Sequence, residues 1–256
     1  MSTPIDISER AGVRYLHFGS NWVQGAMRIR QPDALELAYT REMMAGLLLR
    51  DGLARDGRTW PQRVLMIGLG AASLAKFVHR HCPQSRIDVV ETEPEVVAAA
   101  RQFFCLPQES ERFTIHLDDG ARFVLTGTDR YDYVFVDGYD NKARTGALDT
   151  LPFHQALRAR LSAEGLAAFN LLGQMRGHQA SVQRIFTAFD GRAAVFPSCD
   201  NGNVIAFAAA GTAILRSLAE LRARSALLKA ETGLDLASTI SSLEATGALP
   251  GGALVL

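Results

Sequence analysis

Arg63-Val64-Leu65-Met66-Ile67-Gly68-Leu69-Gly70-Ala71-Ala72-Ser73 is the stretch on which the reading of this chain turns. Val64 to Ile67 are apolar without alternation, as a strand buried on both faces must be. Gly68-Leu69-Gly70 ends that strand, and Ala71 to His81 has a helical pattern. Strand, glycine turn and helix in this order begin an alternation that the chain repeats. Ile87 to Val90 forms a second strand ended by Glu91, and Pro94 suits the first turn of the next helix. Phe113 to His116, Tyr133 to Val136 and Leu166 to Leu172 form three more strands, with helices at Phe153 to Leu161 and Val182 to Phe189. Ala193 to Phe196 and Val204 to Ala208 read as two consecutive strands. The predicted fold class is α/β, a mostly parallel sheet with helices on both faces.

Upstream, Val13 to His17 and Trp22 to Arg30 are extended, with a turn at Gly19-Ser20-Asn21 and another at Pro32-Asp33. A helix over Thr40 to Arg50 places Met43, Met44, Leu47 and Leu48 on one side. The polar stretch 51–62, with Gly52, Gly57 and Pro61, reads as a linker. The expected organisation is a β-rich module with its connecting helix at 1–50, a main domain at 63–210 and a helical extension at 211–256. The extension is read as helical to Ala230, with another helix from Leu234 to Ala245.

Composition excludes several classes. The 256 residues carry 27 basic and 27 acidic side chains, so no bulk basic field points to nucleic acid. Hydrophobic residues are 48% and charged residues 21%, which suits a globular chain. No apolar run approaches the roughly 20 residues of a membrane span. Met1 to Arg10 holds Asp6 and Glu9 without an apolar core, so no signal peptide is expected. Cys82, Cys105 and Cys199 have no paired spacing, which predicts free thiols in a reducing, cytoplasmic compartment. His79-Arg80-His81-Cys82 is dense in ligand atoms, but residues one or two apart do not share a helix face, so no metal site is predicted.

In an open α/β sheet, ligands sit beyond the carboxyl ends of the strands. Gly68 and Gly70 let the backbone approach a ligand closely. Glu91 stands where an acidic side chain accepts both hydroxyls of a ribose, while Glu93 and Glu95 serve the following helix N-terminus. After the third strand, Asp119 is placed to accept from an adenine amino group; capping the helix from Ala121 is the competing role, for Asp118 or for both. Asp137 and Asp140, three residues apart on a loop over the pocket, are suited to general-base work or to holding a cation. Repulsion between them would lift one pKa.

These residues together resemble the spermidine synthase family, the polyamine aminopropyltransferases. Trp22-Val23-Gln24 resembles the family's segment with a substrate-binding Gln, and Ala38-Tyr39-Thr40-Arg41-Glu42-Met43 its Tyr-His-Glu-Met segment. Val90-Glu91-Thr92-Glu93-Pro94-Glu95 is similar to Val-Glu-Ile-Asp-Pro-Glu, and Tyr131 to Asp140 resembles the strand leading to Asp-Ser-Ser-Asp. The resemblance implies a small N-terminal β-domain before a Rossmann-like, class I methyltransferase-type domain. It implies aminopropyl transfer from decarboxylated S-adenosylmethionine, as co-substrate, to a small-molecule amine, with no tightly bound cofactor. Gly68, Gly70, Glu91, Asp119 and Gln24 would hold the donor. Tyr39 and Asp137 would face the acceptor, and Asp140, with Asp137 nearby, would take the amine's proton. The leaving group is a neutral thioether, so no metal is required. A homodimer or homotetramer is implied by the same resemblance.

The chain also departs from the family. Its loop Gly68-Leu69-Gly70-Ala71-Ala72-Ser73 stands where the family has Gly-Gly-Gly-Asp-Gly-Gly, and Ala71 cannot grip the aminopropyl amine as the Asp does. Thr40 replaces the His, and Asn141 the Pro after the second Asp. The lost charge-assisted bond is worth about 1.5–3 kcal/mol, roughly 10- to 150-fold in binding. Two rivals follow: an S-adenosylmethionine-dependent methyltransferase using the same Glu91 and Asp119, and a non-catalytic interaction protein using Ala213, Ile214, Leu218, Leu221 and Leu228 of the tail. Lys142 and Arg144 are unusual company for a polycationic amine, which keeps an acceptor bearing a carboxylate open.

Overall fold

The computed structural model describes residues 4–50, 60–139, 144–174, 177–199 and 202–256. Strand β1 (Asp6–Arg10), β2 (Val13–His17) and β3 (Val23–Arg28) form an antiparallel sheet of their own. The helix expected over Thr40 to Arg50 is instead two short ones, α1 (Ala38–Met43) and α2 (Gly46–Leu49). The break has a physical cause. The buried Tyr133 hydroxyl donates to the Met43 carbonyl, and a β-carbon on Gly46 would fall 2.2 Å from that same hydroxyl. The chain therefore turns at Met44 and Ala45 to seat its backbone on Tyr133. Most of the stretch 51–62, read from sequence as a linker, lies outside the described residues.

The main sheet follows: β4 (Arg63–Ile67), α3 (Ser73–His81), β5 (Arg86–Glu91), α4 (Pro94–Phe103), β6 (Phe113–Leu117), α5 (Gly120–Thr126), β7 (Tyr131–Val136), α6 (Leu151–Ala159), β8 (Leu161–Leu172), α7 (His178–Ala188), β9 (Ala193–Val195) and β10 (Asn203–Ala209). Its seven strands run in the order β6-β5-β4-β7-β8-β10-β9. β6 to β8 pair in parallel, and β10 is antiparallel to both neighbours. Strand order reverses between β4 and β7, so a crevice opens beyond their carboxyl ends. Burial on both faces is visible along β4: Val64 and Met66 pack into one hydrophobic core, Leu65 and Ile67 into the other. A third, smaller cluster of Leu16, Met27, Ala71 and Phe104 joins the N-terminal sheet to the glycine turn.

The extension is not purely helical. β11 (Leu215–Ser217) pairs with β12 (Ala253–Val255) around α8 (Leu218–Thr232) and α9 (Ala237–Ala245). α8 starts at a capping box: the Ser217 hydroxyl accepts from the Glu220 N–H, and the Glu220 carboxylate accepts from the Ser217 N–H. Ile214, Leu221 and Leu228 are buried in the main core and Leu218 packs on it, so that apolar stripe is used inside the chain. His79 meets Phe113 edge-on and His81 lies against Phe77, each ring on its own aromatic neighbour. Among the described residues, no helix is long and apolar enough to cross a membrane.

Candidate active site

One cleft of about 1230 Å³ lies at the reversal of strand order. Gly68, Gly70, Glu91, Asp119, Asp137, Gln24 and Tyr39 all line it; Asp140 and Lys142 lie outside the described residues. Five of the seven come from the ends of β4 to β7. Gln24 comes from β3 and Tyr39 from α1, so the N-terminal segment closes one side of the cleft.

The glycine turn is held by its neighbours. The Gly68 N–H donates to the Val90 carbonyl and the Asp137 N–H to the Ile67 carbonyl, both at 2.9 Å. Gly68 has φ +95°, and a β-carbon there would fall 2.4 Å from the Asp137 carbonyl oxygen, so only glycine fits. Gly70 passes beside the carbonyl of Gln24. Glu91, nearly buried, is fixed by backbone donors. Its Oε2 accepts from the Leu69 N–H at 3.0 Å, and its Oε1 from the N–H groups of Thr92 and Glu93 at 2.8 and 3.0 Å. The carboxylate thereby holds the glycine turn while still facing the cleft.

Asp118 and Asp119 divide the roles left open by the sequence. Asp119 is the N-cap of α5, accepting from the Arg122 N–H at 2.8 Å, and it also lines the cleft. Asp118 accepts from the Asp119 N–H and pairs with the Arg122 guanidinium.

Asp137 is the centre of a polar cluster. Its Oδ1 accepts from Asn170 Nδ2 at 2.7 Å, and the Tyr39 phenol lies beside the same carboxylate, favouring its charge. Asn170 Oδ1 accepts from Asn203 Nδ2 at 2.8 Å, and the Asn170 carbonyl accepts from the Tyr139 hydroxyl at 2.6 Å. Burial lifts the Asp137 carboxyl to about 6, against the opposing pull of its bonds to Asn170 and Tyr39. The repulsion expected between Asp137 and Asp140 involves a residue outside the described ones. Burial, and next the Asp137 charge, push the Tyr39 phenol well above its ordinary range. Burial raises Tyr139 as well. At neutral pH the arrangement is an ionised carboxylate held by neutral donors, suited to receiving an ammonium or its proton.

Asn170 and Asn203 were not singled out from sequence. Their signal was present: Asn170 interrupts the apolar run Leu166 to Leu172, and a buried amide in a strand needs partners. Ala71 sits in the apolar cluster with Leu16, Met27 and Phe104, 2% exposed. A β-carbon on Gly25 of β3 would fall 2.6 Å from the Ala71 Cβ and 2.9 Å from its nitrogen. The N-terminal sheet therefore presses directly on Ala71.

Residues 38–199 match the spermine/spermidine synthase domain. The chain belongs to the spermine/spermidine synthase family. A polyamine aminopropyltransferase of Neisseria meningitidis is 33% identical over 242 residues, which span 94% of this chain and 89% of that protein. A probable spermidine synthase from Corynebacterium glutamicum has the same fold, with a TM-score of 0.72 at 21% identity over 88% of this chain and 83% of that one. Human methyltransferase-like protein 13, solved in complex with SAH, gives a TM-score of 0.63 at 26% identity over 84% of this chain and 94% of that one. In this chain the cleft joins the glycine turn and Glu91 to the polar cluster around Asp137.

Proposed function

We infer that this member of the family is a transferase moving an aminopropyl group from decarboxylated S-adenosylmethionine to a small amine. The observation that carries the reading is that Gln24 of β3 and Tyr39 of α1 line one cleft with Asp137 after β7. It joins the N-terminal segment, which an ordinary methyltransferase lacks, to the strand-end carboxylate. Family membership and the aminopropyltransferase relative support the same conclusion.

The donor fits the residues present. Glu91 offers a preset carboxylate to the ribose, Asp119 faces the base, and the Gly68 to Gly70 backbone leaves room for the chain to sulfur. The acceptor nitrogen uses its lone pair on the aminopropyl carbon beside the sulfonium. A C–N bond forms, the C–S bond breaks, and its electron pair stays on sulfur as a neutral thioether. The proton leaves the nitrogen for Asp140, with Asp137 and Tyr39 orienting the amine. The reading includes a cytoplasmic homodimer or homotetramer, with the free thiols Cys82, Cys105 and Cys199 suited to a reducing compartment.

Ala71 favours a second reading, methyl transfer from S-adenosylmethionine, because the amine-gripping carboxylate is replaced by an apolar contact. The deciding experiment is calorimetric titration with S-adenosylmethionine, its decarboxylated form and methylthioadenosine, followed by turnover with diamines and with amines bearing a carboxylate. Preference for the decarboxylated donor, with transfer abolished in Asp140→Ala, is the expected result. Preference for S-adenosylmethionine with methylated product supports the second reading. Binding of none of the three overturns both.

A further inference from the structure

The polar cluster continues from the carboxylate along the wall of the cleft, which Asn170 and Asn203 also line. Asn170 lies on β8 and Asn203 on the antiparallel neighbour β10. In register Asn170 faces Ile205 and Asn203 faces Leu172, which makes the two asparagines diagonal neighbours on one face. Both are nearly buried, at 5% and 7% exposure, so each amide group needs a partner. Asn170 has one amide to divide. Its NH2 donates to Asp137 at 2.7 Å, and its oxygen accepts from Asn203 at 2.8 Å. Asn203 touches neither Asp137 nor Tyr39 in this set of bonds.

We propose that Asn203 is a positioning residue: by donating to the Asn170 oxygen, it keeps the Asn170 NH2 aimed at the Asp137 carboxylate. Without it, the Asn170 oxygen is buried and unsatisfied, and the amide rotates or shifts to find another donor. The bond to Asp137 then weakens, and the carboxylate loses one of the two donors that oppose the effect of burial. Among the described residues, the titratable groups facing this cluster are Tyr39 from α1, Tyr139 beyond β7, and Cys199 before β10; Asp149 in turn faces Tyr139. Tyr39 and Tyr139 are both raised and stay neutral across the range in which Asp137 titrates. The Cys199 Sγ points to the Asn203 backbone carbonyl rather than to its amide.

The inference rests on the aminopropyltransferase reading only for the catalytic use of Asp137, so its test does not depend on turnover. The Asp137 carboxyl is titrated by carbon-13 NMR in aspartate-labelled protein, with Asp137→Asn assigning the signal. In Asn203→Leu, similar in size but without a donor, the carboxyl acid constant should fall about tenfold, as loss of a bond to a charged group implies. Asn203→Asp, an acceptor competing for the same NH2, should shift it in the same direction. An unchanged midpoint in a folded variant overturns the proposal, because a merely structural asparagine lowers the melting temperature and leaves the midpoint alone. Should both variants fail to fold, the wild type supplies the test. The side-chain amide resonances of Asn170 and Asn203 should both follow the Asp137 midpoint and stop doing so in Asp137→Asn; an Asn203 amide indifferent to pH overturns the proposal. A shifted carboxyl in a protein that transfers no aminopropyl group refutes the function and leaves the positioning role standing. Transfer with an unmoved carboxyl does the reverse.

Discussion

Replacing Asp137 by Asn should stabilise the protein at pH 8 and have a much smaller benefit at pH 4.5. The carboxyl titrates at about 6 in the fold against 3.8 for a free side chain, because burial disfavours its charge more than Asn170 and Tyr39 favour it. Between those values the unfolded chain holds fewer protons than the native one, so wild-type stability falls as pH rises from about 4 to about 6. The full difference corresponds to about 3 kcal/mol, of which about 2 kcal/mol falls between pH 4.5 and 8. Asn keeps the carbonyl that accepts from Asn170 and carries no charge, so it escapes this dependence. The assay is urea unfolding of both proteins at half-unit pH steps, reading the difference in stability, so that every other titrating group cancels. A difference that grows by about 2 kcal/mol and levels off above pH 7 is expected. A flat difference across the range would refute the claim that the fold penalises this charge.

Glu91→Ala should weaken binding of the nucleoside donor by roughly 10- to 150-fold in calorimetry, the loss of a charge-assisted bond. It should also lower the melting temperature, because the N–H groups of Leu69, Thr92 and Glu93 lose their acceptor. Ala71→Asp should destabilise the fold by about 2 kcal/mol or more in chemical denaturation, since the new carboxylate enters an apolar cluster. A neutral or stabilising result would mean that the Gly25 hairpin moves aside easily. Lys76, 2% exposed and donating to the Phe104 carbonyl at 2.8 Å, has its ammonium pushed down to about 8 by burial. The unfolded chain therefore binds more protons between about 8 and 10.5, and stability should rise with pH there. Lys76→Met should lack that rise, which thermal melts at pH 7.5 and 9.5 would register.

The sheet was legible because its signal is local: short, mostly apolar strands, several ended by Gly or an acidic residue, alternate with helical patterns. Glu91 and Asp119 followed from the topology, since a strand end is a place before it is a contact. The break between α1 and α2 was not legible, because helical periodicity runs straight through it. The partners it meets at Gly46, namely Tyr133 and Leu166, lie far along the chain. The pair β11 and β12 escaped notice because three-residue strands, flanking helices on either side, carry almost no pattern. Asn170 and Asn203 became meaningful only when β8 and β10 were set side by side. Their separation in sequence hides a relation that the register makes plain.

The contact between Gly25 and Ala71 bears on how donor preference changes along a lineage. Ala71 lines the cleft with β3 close against it at Gly25, so a side chain at position 71 that turns toward β3 meets a strand with no side chain to give up. An acid placed at position 71 that points to β3 would set a carboxylate against that strand and the apolar cluster of Leu16, Met27 and Phe104. Relatives with an acid in the glycine loop should differ at the residue opposite it as well, the two positions changing hands together. In this chain the glycine-turn end of the cleft is shaped partly by the N-terminal sheet, which lies outside the turn itself.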